Sequence, residues 1–372
     1  MNFTLTILGS ASALPFSDRN PSAQALSVHG RLFLIDCGEG TQQRIRQEHL
    51  SFVKIEAIFI SHIHGDHVFG LFGILSTMSL YHRTGALHIF GPQNLGPILN
   101  FYRSYFGADL SFEIVFHPLN FQKATVILGA AAGNAASSAL LRNPVRENAP
   151  ESDSAATGIP SEDPATLGKV RGGTASAVGS SECETSEEGI PADAGALPQF
   201  GAVTGRGYGS KAVQVTAFPL NHKIDCYGFR FDEVVGPRRN PWKPRSYAYV
   251  SDTAPFPELA EYVKGVNLLY HEATYPAGME DKAEQYFHST SLQAASCARD
   301  AGVGKLLIGH FSSRIKDIPS MAEECKGIFR ESCTVNDGDV FEIPYIREYE
   351  EAGSDSSCDA DGVAGPVGHS AE

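Results

Sequence analysis

The run IEAIFISHIHGDHVFGL, residues 55–71, decides how this chain is read. Residues 55–61 are almost continuously apolar and read as a short strand, and a helical pattern begins near Val68. Between the two lie His62, His64, Asp66 and His67. Strand ends are where α/β folds place chemistry, because side chains there project into a crevice while the strand holds them rigid. With 13 histidines in 372 residues, such a cluster arises by chance on the order of once in a thousand sequences. A divalent ion needs three or four ligands, and imidazole nitrogen with carboxylate oxygen suits zinc. His62 and His64, at alternate positions, can point to one ion; Asp66 and His67, at the turn, can point to a second. Two ions need further ligands, one of them a carboxylate that bridges both. Residues of the required type follow strand-like runs downstream: His222, Asp252, His271 and His310.

Outward from this run, the chain alternates strand and helix signals. Strand-like runs fall at 3–8, 23–28, 31–35, 55–60, 86–90, 111–116 and 123–128, then at 211–218, 226–231, 245–251, 266–270, 304–308 and 339–343. Helical patterns fall at 40–49, 67–82, 94–105, 256–263, 291–301 and 319–330. This alternation predicts an α/β layered architecture in one domain over 1–349. Residues 130–210 interrupt it, dominated by Ala, Gly, Ser, Glu and Pro; such a stretch buries too little apolar surface to offset its ordering entropy and is expected to be a disordered insertion. An acidic disordered tail is expected over 350–372.

The bulk composition narrows the class. No stretch of eighteen apolar residues occurs, which argues against a membrane span. The opening residues MNFTLTILGS lack a basic region followed by an apolar block and read as a first strand rather than a leader. Seven scattered cysteines without a CxxC pair argue against a disulfide framework and for a reducing cytoplasm. The net charge of −14 is unevenly spread: roughly −5 falls in 130–210 and roughly −6 from 346 onward, so the rest of the chain is near neutral.

The segments FLIDCGEGTQ (33–42), FISHIHGDHVFGL (59–71), FPLNHKIDCYGF (218–229), SYAYVSDT (246–253), LLYHEATY (268–275), FHSTSLQAA (287–295) and LLIGHFSSR (306–314) resemble, in order, the motifs of the ribonuclease Z family. These are zinc endonucleases of the metallo-β-lactamase superfamily that trim the 3′ trailer from precursor transfer RNA, and the match is closest to bacterial short forms. The resemblance implies a four-layered αββα sandwich with the metal site at the edge of its two sheets. It implies two zinc ions, one held by His62, His64, His222 and Asp252, the other by Asp66, His67, His310 and the bridging Asp252. It further implies Asp66 as proton acceptor, His271 as proton donor, and Asp36 behind the ligands. His288, Arg245 and Arg314 are expected at the substrate. Hydrolysis would leave a 3′-hydroxyl on the transfer RNA and a 5′-phosphate on the trailer, and the family commonly works as a homodimer. One departure stands out. About thirty residues separate His222 from Asp252, too few for the long arm with which the family grips transfer RNA. The segment GPRRNPWKPR (236–245) offers basic residues and Trp242 instead. A superfamily phosphodiesterase or esterase acting on a small molecule would need no arm and is the alternative.

Overall fold

The computed structural model describes residues 2–14, 18–107, 110–120, 124–128, 212–234 and 242–347. These all fall in one compact unit, Met1–Leu140 with Gln199–Glu372. The expectations for 130–210 and 350–372, and for Arg238 and Arg239, lie outside the described residues.

The strand at the centre of the first motif, β4 (Ile55–Phe59), shows why its sequence is almost continuously apolar. Ala57 and Phe59 face one core, while Ile55, Ile58 and the following Ile60 face another. A strand buried on both faces cannot alternate with polar residues. It lies in a seven-stranded sheet of order β14-β1-β2-β3-β4-β5-β6, built from β1 (Phe3–Gly9), β2 (Ala23–Val28), β3 (Arg31–Cys37), β5 (Leu87–Pro92), β6 (Ile114–Leu119) and β14 (Val340–Glu342). The second sheet has order β13-β12-β11-β10-β9-β8-β7. It comprises β7 (Ala124–Leu128), β8 (Ala212–Pro219), β9 (Tyr227–Val234), β10 (Ser246–Val250), β11 (Leu268–Glu272), β12 (Leu306–Gly309) and β13 (Ser332–Thr334). Each sheet begins antiparallel and turns parallel, from β3 onward in the first and from β10 onward in the second.

The sheets face each other across a core that includes Phe33, Phe59, Phe229, Phe231, Tyr247 and Tyr270. Outside the first sheet pack α1 (Thr41–Gln47), α3 (Leu71–Leu80) and α4 (Leu95–Tyr105); outside the second pack α5 (Leu259–Tyr262), α7 (Ser291–Ala301) and α8 (Ile318–Lys326). The result is the expected αββα sandwich. Among the described residues no helix is long and apolar enough to cross a membrane.

The predicted helix over 67–82 is in fact two, α2 (Gly65–Val68) and α3. Gly70 separates them; its N–H donates to the Cys37 carbonyl at 2.8 Å, and a Cβ there would stand 2.1 Å from the Gly38 carbonyl oxygen. Only glycine allows the loop after β4 to press this closely on the end of β3. Two short elements, α6 (Glu280–Tyr286) and β13, have sequence signals too brief to be read in advance.

Candidate metal centre

The residues of the first motif sit where β4 ends, at the edge shared by the two sheets, and meet residues from the ends of β8, β10 and β12. His62, His64, His222 and Asp252 form one group whose potential ligand atoms lie within 4.8 Å of one another; Asp66, His67 and His310 form a second. In the first group His62 Nε2 is 3.0 Å from His64 Nδ1 and 3.6 Å from Asp252 Oδ2, and His222 Nε2 is 3.3 Å from His64 Nδ1 and 4.0 Å from Asp252 Oδ2. In the second, His67 Nε2 and His310 Nε2 are 3.3 Å apart, and each is 3.4 Å from Asp66 Oδ2. Asp252 Oδ1 is 3.4 Å from His67 Nε2 and 3.2 Å from His310 Nε2. One carboxylate thus turns one oxygen to each group.

Ligand atoms about 2.0–2.1 Å from a tetrahedral zinc stand roughly 3.3 Å apart, and most of these separations lie near that edge length. A second observation points the same way. Asp252 Oδ1 is buried and has no hydrogen-bond partner, a costly state for a carboxylate oxygen unless a cation completes it. The residues therefore fit a pair of divalent ions.

The electrostatics agree. Burial first, then the adjacent His67, push the His62 imidazole well below its usual range, and burial lowers His64 and His222. Burial alone would raise Asp252, but His310, His67 and His62 hold it well below the usual carboxylate range; Asp66 is likewise lowered against burial, by His67 and His310. For His67, burial is outweighed by Asp252, Asp66 and Asp36, which carry it well above its usual value. Ionised carboxylates and neutral imidazoles are the ligand forms, so an ion entering this site displaces the proton His67 holds.

The far sides of the ring systems are tied to the protein. Asp36, buried and at the left-handed φ of 56° near the end of β3, accepts from His67 Nδ1 at 2.8 Å, the Ser61 amide at 2.7 Å, Ser61 Oγ at 2.8 Å and the Tyr249 hydroxyl at 2.6 Å. It stands behind His67, as the resemblance implies, and is not in either ligand group. His222 Nδ1 donates to the Phe287 carbonyl at 3.1 Å. Orienting a ligating histidine through its second nitrogen is the general device of such sites.

Two expectations are corrected here. His271 was expected to donate a proton at the site, but β11 turns it the other way. Successive side chains of a strand face opposite sides; Tyr270 faces the core between the sheets, and His271 lies on the helix side with Leu269. There it lines a cavity of about 530 Å³ with Pro255, Phe256 and Leu259. Its Nδ1 donates to the Glu272 carbonyl at 2.6 Å, and burial lowers its pKa. Arg245, expected at substrate phosphate, is buried at 2% exposure and locked to Glu233, with Nη2 2.6 Å from Oε1 and Nε 3.1 Å from Oε2. Trp242 is half-buried against its own chain, its ring 5.6 Å from Tyr345 and 4.9 Å below the Arg347 guanidinium.

His288 is instead the histidine brought to the site, grouped with Asp252 and His310. Its Nδ1 lies 3.1 Å from Glu272 Oε1, and although burial opposes it, Glu272 raises its pKa to about 9. Arg314 is exposed on the loop that follows His310. The contributions of Glu272, Thr274, Ser61 and Tyr249 were missed from sequence. Glu272 shares the inward side of Tyr270 in β11, a direction that the strand shows and residue type does not.

The architecture is the metallo-β-lactamase fold. Human tRNase Z, short form, superposes with a TM-score of 0.59 at 23% identity, covering 92% of this chain and 99% of that one. The metallo-beta-lactamase fold protein YhfI from Bacillus subtilis superposes with a TM-score of 0.58 at 16% identity, covering 92% and 100%. Residues 3–100 match the family model of the anti-Pycsar protein Apyc1. Over the greater part of the chain, similarity is to ribonuclease Z of Cytophaga hutchinsonii, 34% identical over 352 residues with 94% of this chain and 99% of the relative covered. Ribonuclease Z of Porphyromonas gingivalis is 31% identical, with 90% and 97% covered.

Proposed function

The chain belongs to the ribonuclease Z family and is a hydrolase, and from that premise we propose that it is a zinc-dependent endoribonuclease that removes the 3′ trailer from precursor transfer RNA. The observation that carries the reading is Asp252, whose two oxygens face the two ligand groups while Oδ1, 3.2 Å from His310 Nε2 and 3.4 Å from His67 Nε2, makes no hydrogen bond. In this reading His62, His64, His222 and Asp252 hold one zinc ion, and Asp66, His67, His310 and Asp252 hold the other. When bound, such a pair supplies Lewis-acid activation of water and neutralises charge on the phosphoryl oxygens.

The chain's own groups complete the chemistry. Asp66, kept ionised, is placed to accept a proton from the attacking water. His288 is the proton donor to the departing 3′ oxygen: Glu272 holds its Nδ1 and keeps the ring protonated through neutral pH, leaving Nε2 to deliver. The products are then a 3′-hydroxyl on the transfer RNA and a 5′-phosphate on the trailer. Exposed Arg314 is available to phosphate at the rim. The reading includes a homodimer in the cytoplasm, with Phe101, Tyr105 and Phe106, 57%, 71% and 71% exposed, as apolar surface for a second copy.

One observation favours a small-molecule phosphodiester instead: β9 reaches Val234 and β10 begins at Ser246, an interval too short in sequence for a long substrate-gripping arm. A time course on end-labelled precursor transfer RNA, beside bis(p-nitrophenyl) phosphate, separates the two. A single cut at the trailer junction that is lost on chelation and restored by zinc supports the nuclease. Turnover of the small diester with no RNA cleavage overturns it.

A further inference from the structure

The outward contacts of the ligand histidines can be resolved proton by proton, and they converge on two buried hydroxyls. Ser61 Oγ lies 2.8 Å from Asp36 Oδ2, 3.0 Å from His62 Nδ1 and 3.0 Å from Ser251 Oγ. A serine hydroxyl has one proton and two lone pairs. As a carboxylate Asp36 can only accept, as it does from the Ser61 amide, the Tyr249 hydroxyl and His67 Nδ1, so the Ser61 hydroxyl at 2.8 Å donates to it as well. Ser61 then has only lone pairs left for His62 Nδ1 and Ser251 Oγ; its longer contact, 3.5 Å to His67 Nδ1, is to a nitrogen whose proton already goes to Asp36. His62 must carry its proton on Nδ1, and Ser251 must donate. Cys226 agrees: its thiol donates to the Asp252 carbonyl at 3.5 Å, so at 3.6 Å it too faces His62 Nδ1 as an acceptor.

The same construction recurs across the site. Thr274 Oγ1 lies 2.8 Å from Glu272 Oε2 and 2.9 Å from His310 Nδ1. Glu272 accepts the Thr274 amide at 2.8 Å, the Ser289 amide at 2.8 Å and the Thr253 amide at 3.2 Å, and it takes the Thr274 hydroxyl proton too. His310 is therefore left to donate from Nδ1. Its Nε2 lone pair turns to Asp252 Oδ1 and Asp66 Oδ2.

We propose that Ser61 and Thr274 are positioning residues, each passing its only proton to a buried carboxylate and so fixing His62 and His310 in the tautomer whose Nε2 can ligate. The assignment rests on reading the site as a metal centre. Neither hydroxyl belongs to the candidate ligand groups. Each acts because a histidine in the other tautomer would present an N–H, and no lone pair, to the ion. The carboxylates sit on different sheets, Asp36 on β3 and Glu272 on β11, so each sheet sets ligands of its own.

The test uses the zinc-loaded protein. Long-range proton–nitrogen correlation spectra of the histidine rings should show His62 and His310 protonated at Nδ1 and bound through Nε2. Zinc affinity, from competition with a chromophoric chelator, should weaken about 10–100-fold in Ser61→Ala and Thr274→Val, while Thr274→Ser, which keeps the hydroxyl, stays within about threefold. Ligation through Nδ1 at either histidine overturns the proposal, and so do folded Ser61→Ala and Thr274→Val proteins that bind zinc as tightly as the parent. If those variants fail to fold, the parent spectrum still decides. A parent protein that takes up no zinc overturns the metal-centre reading itself, an outcome distinct from zinc bound in the opposite tautomer.

Discussion

Replacing Arg245 by methionine separates a structural arginine from a substrate-binding one. Its side chain is 2% exposed and that of its partner Glu233 is 6% exposed. The guanidinium makes two contacts to the carboxylate, donates to the Ile343 carbonyl at 3.0 Å and stacks 3.7 Å from the Tyr345 ring centre. Arg245→Met fills the volume but leaves a buried carboxylate short of its main cation, a loss of about 3–5 kcal/mol for such pairs. Glu233 keeps His29 Nε2 at 2.9 Å and the Arg245 amide at 2.9 Å, so the lower end, about 3 kcal/mol, is expected. With a urea dependence of about 1–3 kcal/mol/M, the unfolding midpoint should fall by roughly 1–3 M. Glu233→Gln combined with Arg245→Met should recover part of this, because the uncompensated charge is then gone. The pH profile adds a check. Burial would raise the Glu233 carboxyl, but His29 and Arg245 hold it down at about 2 against an ordinary 4.5. A depressed carboxyl contributes stability that is present above 4.5 and lost as pH falls through about 2. That acid-side slope should shrink in Arg245→Met. The KM for precursor transfer RNA, measured on folded protein, should stay within about twofold. A stability loss below about 1 kcal/mol together with a tenfold rise in KM would refute this account and return Arg245 to the substrate.

Asp252→Ala should cost both ions, read as metal per chain by atomic absorption, whereas His222→Ala should cost chiefly one; equal losses would mean that Asp252 does not bridge. His288→Ala should lower kcat by about 10²–10⁴-fold with metal content intact. His271→Ala should instead lower the melting temperature and leave kcat within about threefold, since its ring faces the helix-side cavity; the reverse pattern would restore His271 as the acid. Replacing 130–210 by a short Gly/Ser linker should leave the melting temperature and activity nearly unchanged, and a fall of many degrees would show that the segment contributes to the core.

The candidate metal-binding residues were legible because metal chemistry leaves a local mark in sequence. His62, His64, Asp66 and His67 are crowded into six residues, and His222, Asp252 and His310 each follow an apolar strand whose end is easy to place. What failed was parity and pairing. LLYHEATY carries two chemically capable residues side by side, and only the inward direction of Tyr270 decides that Glu272 faces the site and His271 does not. A one-residue difference along a strand exchanges faces, and nothing in residue type reveals it.

Arg245 failed for a related reason. Beside Trp242 and Lys243 it reads as a nucleic-acid contact, because its partner is invisible until β9 and β10 pair. Their register sets Asp232 opposite Ser246, and that brings Glu233 and Arg245 together just beyond. The pairing gives Arg245 a structural role and removes its guanidinium from the phosphate contacts expected of the segment. It also sharpens the question of how RNA is held. With Arg245 buried and Trp242 stacked on Arg347, the described part of this segment offers little in place of the arm. On the proposed reading, substrate selection then falls more on the candidate metal centre, where His288 is grouped with Asp252 and His310, and on exposed Arg314 in the loop that follows His310.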